Sequence, residues 1–593
     1  MVERIHGEIY RRKACGKLVM PMRKTRPEVR FDLIDLTAVP DSAATGDYNV
    51  AFGNLALLRD DIRMGDYVTQ GRNDFVLDGT ATILPDTVTD VPYWTTRISG
   101  PACVFSVDPE IQIKFGSPHT SIGLELYFAG DYPTKVKVAW ITPKERIEQI
   151  YYPDSLEYFC ACNVQNYTMI EIQFMRTRLP YQCVRLNYIK YGHEWTLDSQ
   201  SIRSALVLEE MDITSATLSI NTADVEIVDT NNDFELSMDN GMWRSLQRGQ
   251  EISIVEHLDD TTVDCGSYFL ETWESSKNIV KLHMIDLIGT MDKTNFYAGQ
   301  IYSSTPAGTI IGAIMASCGI EKYMVDEDVA GTVLSGWLGI QSHRSALQQV
   351  VFAAGAVADC SRGDMIKIYR PDRYVSHTIG VDWKFQGTKI TLDEYVSGVS
   401  VAYVQYTLAA EASEICKSAL PAGNTRIEFS DPYLPGSLTV SPGTIREAKT
   451  NYIVVALPEA AECTVSGRKY EKIENTYTTS VPVIEAGETE KTETYSGCTL
   501  MDAGRAAAVA EYILDYLQLR QTVELRYICQ GEAVGNWCNI ANAGGRYATT
   551  GISSQTLDLT GGYIATATCH GYSTVLTDDT YVGETDTGER GLI

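Results

Sequence analysis

The chain has 593 residues, 44% of them hydrophobic and 21% charged, which excludes a disordered protein and a single core; about three to five domains are expected. Its 34 tyrosines favour β-structure, and a formal charge of −28 argues against a surface that grips nucleic-acid phosphates by counterion release. Of its 14 cysteines only Cys160 and Cys162 lie close together, and no C-x-x-C pair occurs, so neither a zinc ribbon nor a thioredoxin-like site is expected.

The cysteines read as small buried hydrophobes of a protein made in a reducing cytoplasm. The N-terminus lacks the apolar core of a signal peptide, and no apolar run reaches membrane-spanning length.

In chain order, residues 1–65 read as a basic arm with short strands near Asp32–Leu36 and Tyr48–Leu58. The arm is either a dock for an acidic neighbour or a solvated terminal segment. Residues 66–194 are all-β: Ile111–Phe115, Gly123–Phe128, Thr134–Trp140, Met169–Phe174 and Val184–Ile189 each place apolar residues on one face. Residues 195–300 continue in strands, with Glu251–Leu258, Cys265–Ser276 and Asn278–Asp292 as the clearest runs. The Asp229–Asp233 run alternates oxygen ligands as a Ca²⁺ loop does, but lacks the glycine and final glutamate, and reads as a hairpin turn.

Residues 301–383 form a small α/β segment. Thr305-Pro306 caps a helix running towards Gly319, and a second helix spans about Ser342–Ala354. Ala346, Leu347, Val350, Val351 and Ala354 form its buried stripe, Ser342 or Ser345 its cap and Gly355 its stop. A strand at Ala356–Asp359, a Ser361–Asp364 turn and a strand at Met365–Tyr369 follow. Residues 384–500 are β-rich, with strands at Tyr452–Leu457 and Lys469–Ile473. Residues 501–575 begin with a helix over Asp502–Arg520, capped by Asp502, with Val509, Ile513, Tyr516 and Leu517 on one face, and end in short strands. The tail, 576–593, is polar and acidic.

Arg344, Ala346, Leu347, Val350, Gly355, Ala356, Tyr369, Arg370 and Pro371 together resemble the helix–hairpin of phage tail hub proteins, the late control protein D and prophage baseplate family. Val351 departs, standing where that pattern has alanine. Gly266, Tyr268, Phe269, Trp273, Leu282, Met284, Asp286 and Leu287 fit the looser shape of the family's tube-like barrel. Residues 66–194 resemble, in outline, a discoidin-like, galactose-binding β-sandwich.

The resemblance implies a mainly β multidomain chain: a jelly-roll-like N-terminal β-sandwich, two tube-like β-barrels and a small α/β insert. It implies a non-enzymatic homotrimer in the virion, joining a six-fold tail tube or distal tail protein to a three-fold spike or tip. Tape measure protein, other baseplate subunits and DNA in unspecific passage are its further partners.

No catalytic motif, cofactor motif or metal-ligand spacing is present, and the eight histidines are spread singly. A second reading is a tail-tip adhesin whose sandwich binds host cell-wall carbohydrate, with Trp140, Tyr151 and Tyr152 as the rings that would stack on sugar. A third, a wall hydrolase, is disfavoured because the sequence stops just past the second barrel segment.

Overall fold

The computed structural model describes residues 24–35, 37–47, 93–229, 246, 248–259, 261–484, 487–542, 546–574, 581–584 and 590–592. The expected strand near Tyr48–Leu58 and most of the Asp229–Asp233 turn lie outside them. The protein is mainly β, and its largest element is one 13-stranded sheet in two halves.

The first half contains Thr25–Ile34, Gly192–Leu197, Ile202–Glu210, Thr222–Val228, Glu251–Leu258, Thr261–Ser276 and Ile279–Ile285. The second contains Val375–Ile379, Lys389–Leu392, Gln521–Ile528, Trp537–Ala541, Tyr547–Asp558 and Ile564–Thr574. They join where Leu206–Glu210 pairs antiparallel with Ser554–Asp558. Strict alternation builds both halves: in Glu251–Leu258 every second residue, Ile252, Ile254, Glu256 and Leu258, is buried.

The two expected barrels are therefore halves of an open sheet, because Tyr547–Asp558 occupies the edge of Ile202–Glu210 through which the first half could otherwise close. Within the region expected to be an arm with short strands, Thr25–Ile34 is a strand held between Glu251–Leu258 and Gly192–Leu197, hydrogen-bonded on both sides.

A second core lies in the α/β segment. The helix His343–Ala354 forms as its pattern predicts: Ser342 Oγ accepts from the Ser345 N–H at 3.1 Å, and Gly355 closes the end at φ +64°. Its whole expected stripe is buried, and Leu347 and Val350 each contribute about 1.5–3 kcal/mol through removal from water. The helix Ala307–Cys318 starts one residue later than expected and has no side-chain cap, because Thr305 and Pro306 extend a strand paired with Val333–Trp337.

The helix Ala503–Leu517, capped by Asp502, belongs to this core and not to the second half-sheet. Ala506, Val509, Ala510, Ile513 and Leu514 are its buried stripe, while Tyr516 and Leu517 are only half-buried.

The β-rich region from 384 divides three ways. Lys389–Leu392 joins the main sheet, and Gly398–Leu408 pairs with Tyr470–Ser480 as a long hairpin over the Ala503–Leu517 helix. The residues between the hairpin's arms form two three-stranded sheets around their own core of Phe429, Ile453, Val455 and Val465.

Hydrogen bonds join the described strands of the N-terminal β-domain into one seven-stranded sheet. Two strands carry it, Glu110–Phe128 and Glu157–Thr177, and three register shifts between Lys114 and Gly123 bend the first. Tyr93, Trp94, Trp140, Tyr167 and Phe174 fill its interior.

None of the described cysteines is in a disulfide and most are buried, where burial pushes the Cys529 thiol up to about 11 and Cys498 up to about 12. No described helix is long and apolar enough to cross a membrane.

Candidate functional site

The helix–hairpin unit inserts its turn into the seam between the two half-sheets. Asp359 shapes the turn: its carboxylate accepts from the Ser361 N–H and hydroxyl, both at 2.9 Å. Arg362 then adopts φ +52°, a left-handed conformation unusual for a residue with a Cβ, and its side chain points into the sheet. The Ser267 N–H donates to the Gly363 carbonyl at 3.0 Å, which ties the turn to the first half-sheet.

Beneath the turn lies Glu209, completely buried, directly opposite Gln555 across the seam. Arg362 Nε pairs with Glu209 Oε1, while its Nη atoms donate to Tyr563 Oη and the Glu532 carbonyl, both at 2.9 Å. Gln555 Nε2 donates to Glu209 Oε2 at 2.6 Å and to the Glu532 carbonyl at 2.9 Å; Tyr527 donates to Gln555 Oε1 at 2.9 Å. Burial works against the guanidinium's charge, but the Glu209 carboxylate outweighs it and holds Arg362 protonated.

One network thus connects both half-sheets and the α/β unit. Its chemistry is that of a lock, because every named polar group has a partner. Its members were missed in the sequence, although a signal exists. Ala205, Val207 and Glu209 share the core face of one strand, so a glutamate stands where alternation demands an apolar residue.

The pattern residues serve the same junction. Arg344 donates through Nε to the Leu218 carbonyl at 3.0 Å and pairs with Asp292 at 2.7 Å. Gln348 Nε2 donates to the Ser215 carbonyl at 2.7 Å, and the Ser215 hydroxyl donates to the Ala356 carbonyl at 2.6 Å. Arg370 contacts Thr332 and Asp328, and Pro371 lines a narrow cleft with Tyr512 and Trp537. All of these contacts hold elements in place.

Of the three rings considered for sugar, Trp140 is fully buried and packs edge-on against Tyr151, whose hydroxyl donates to the Ala161 carbonyl at 2.8 Å. Only Tyr152 is open to solvent, at 63% exposure. The expectation fails for Trp140 and Tyr151 because Val136, Val138 and Trp140 alternate onto the core face.

A second ionic contact fastens the N-terminal β-domain. His119 Nδ1 lies 2.7 Å from Asp35 and Nε2 2.9 Å from Asp41. Burial disfavours the imidazolium, but its hydrogen bonds to Asp41 and Asp35 outweigh this and His119 titrates above its ordinary value. Asp41 is held below the usual carboxylate range, first by His119 and then by Ser117.

A raised histidine contributes fully below its unfolded pKa, about 6.5, and that contribution disappears as pH rises through the folded value. A depressed aspartate contributes above about pH 3.9 and loses its effect as pH falls through its folded value. The clamp is therefore strongest between about pH 4 and 6.5. Melting curves of His119→Gln and the parent are expected to be furthest apart below about pH 6.5 and to approach each other as pH rises through the raised folded value. A separation independent of pH would show that the histidine acts by packing alone.

No protein-family profile and no curated protein matches the chain. Among solved structures, it is similar to the tail protein from Neisseria meningitidis MC58, at 10% identity and a TM-score of 0.38 over 64% of this chain and 93% of that one. The prophage MuSo2 43 kDa tail protein from Shewanella oneidensis gives 10% identity and a TM-score of 0.36 over 62% and 93%. Prophage tail protein gp18 from Listeria monocytogenes EGD-e gives 9% identity and a TM-score of 0.36 over 64% of this chain and 91% of that one.

Proposed function

We propose that this chain is a structural subunit of the tail of a phage or phage-derived injection particle, and that it acts as the hub. The observation that carries this reading is the locked pair of half-sheets: two sheet segments on one chain, bolted at Glu209, Arg362 and Gln555 by the helix–hairpin that bears the Arg344–Pro371 pattern. Three such chains present six similar segments, which matches a six-fold tail tube on one side and a three-fold spike or tip on the other. The tube or distal tail protein, the spike, the tape measure and other baseplate subunits are then the partners, and the virion tail is the location.

The sheet's open edges support assembly with further copies. On the second half-sheet, Ile390 stands opposite Val523, which stands opposite Cys569; partners across a ladder share a face. Val523 and Cys569 are completely buried, yet Ile390 is 38% and Leu392 64% exposed. The core face thus runs on into an edge strand that no other described strand covers, an arrangement monomeric proteins protect against. Gly192–Leu197 ends the opposite side of the sheet, paired among the described residues only with Thr25–Ile34.

A trimer would carry a charge of about −84, three times −28, so a channel through it would repel DNA and let it slide. The work is mechanical and non-enzymatic, done by interfaces between copies. The test is the solution mass together with class-averaged images of the purified chain. Three-fold rings with a central hole, at three times 65.6 kDa, are expected. Monomers that stay monomeric when mixed with their tail-tube and spike partners would overturn the hub reading.

A further inference from the structure

We propose that Asp359 is a proton-operated catch at the seam: carrying a proton it seats the Arg362 turn, and ionised it loosens that seat. The ground is an excess of buried negative groups at one place. Glu209 and Asp286 are completely buried, Asp359 is 8% exposed, and the field of each of the other two acts on Asp359 where the turn meets the first half-sheet.

The nearby cations leave that excess standing. Arg362 is committed to Glu209, and Arg344, which faces Asp286, is committed to Asp292. Lys367 stands opposite Asp359 in the ladder of their own small sheet, half-buried, and makes no ion pair among the described residues. The other titratable groups facing Asp359 are Cys360 in the turn and Tyr369 on the adjoining strand; burial keeps the thiol and the phenol neutral, so neither supplies a counter-charge.

A buried carboxylate without a cation in contact costs far more than the neutral acid, and such a group takes up a proton instead. Burial is the first cause that pushes the Asp359 carboxyl up, to about 6, and the Glu209 charge adds to it; Ser361 and Lys367 pull the other way.

Hydrogen bonding decides which carboxyl holds the proton. Asp286 gives both oxygens to backbone N–H groups, of Gly289 at 2.8 Å and Asn221 at 3.0 Å, an arrangement that suits the ionised form. Asp359 gives one oxygen to the Ser361 N–H, while the other meets the Ser361 hydroxyl, which accepts as readily as it donates. A proton on that second oxygen reverses the hydrogen bond without breaking it. Ionisation adds a third negative charge beside Glu209 and Asp286, and water relieves it by entering as the turn withdraws.

A carboxyl raised on folding contributes fully below its unfolded value, about 3.9, and that contribution is lost as pH rises through the folded value. The catch therefore tightens on acidification from about pH 7 towards about pH 4.

The test is hydrogen exchange read by mass spectrometry on the full chain at pH 5 and pH 7, corrected for the intrinsic pH dependence of amide exchange. The reporters are residues 261–276, where the Ser267 N–H donates to Gly363, and 357–369; Tyr452–Leu457, in a separate core, is the control. In the parent both reporters are expected to lose about tenfold in protection between pH 5 and pH 7, and the control to be unchanged. Asp359→Asn keeps both Ser361 hydrogen bonds and cannot ionise, so its reporters are expected to be equally protected at both values. Calorimetric unfolding at pH 5, in two buffers of different ionisation heat, is expected to show the parent releasing about one more proton than the variant.

Equal protection of the parent at both pH values, a response that survives in Asp359→Asn, a variant less protected than the parent throughout, or equal proton release overturns the proposal. Should the variant misfold, the parent's own response still decides. Ring formation does not enter these measurements, so their outcome is independent of the hub reading.

Discussion

Arg362→Met is expected to destabilise the protein by about 3–5 kcal/mol, the cost of leaving a buried carboxylate without its cation. Glu209 is completely buried, and the guanidinium provides its charge partner while also satisfying Tyr563 and the Glu532 carbonyl. Methionine fills similar space and keeps the same left-handed backbone at 362, so the difference reports on the charge and its hydrogen bonds rather than on strain.

The companion variant Arg362→Met/Glu209→Gln removes both charges and retains an amide at 209 that can meet Gln555 across the seam. It is expected to recover most of the loss, because a buried pair replaced together costs far less than a pair broken on one side. Urea unfolding of both variants, followed by tryptophan fluorescence and by far-UV circular dichroism, measures the effect; the first transition is the relevant one, since several cores need not unfold as one unit. A loss below about 1 kcal/mol for the single variant, or no recovery in the double, would show that water reaches the seam and that the pair is not its lock.

The second large effect concerns assembly. Leu392→Lys is expected to leave the isolated chain's stability within about 0.5 kcal/mol of the parent, because that side chain is already 64% exposed. The same change is expected to abolish ring formation, reducing the assembly to single chains of 65.6 kDa by light scattering. A lysine at this place protects an edge strand by placing an ammonium where a neighbouring strand or apolar side chain would have to dock. Loss of rings with an unchanged melting curve would place the Lys389–Leu392 edge in the interface between copies. Rings that persist would remove this edge from the contact and require the copies to meet through another surface.

The parts of this structure legible in the sequence are those decided within a few residues of chain. The His343–Ala354 helix follows from a stripe at three-and-four spacing, a serine that reaches its own third amide and a glycine that accepts positive φ. The Asp502 cap and the alternating strand Glu251–Leu258 follow in the same way, because hydrogen bonds along a helix and side-chain direction along a strand depend on neighbours alone. The core position of Trp140 was equally local, written in its alternation with Val136 and Val138, and the attraction of an aromatic ring to sugar hid it.

Pairing between distant segments had no such local trace. Thr25–Ile34 reads as a basic arm until Glu251–Leu258 and Gly192–Leu197 take up its backbone groups. Glu209 and Gln555 stand 346 positions apart in the chain, and the turn that places Arg362 between them shows in sequence only as a turn. Which edge a strand offers, and what covers its face, is settled by the free energy of burying surfaces from remote segments together. That quantity exists only once the chain has folded.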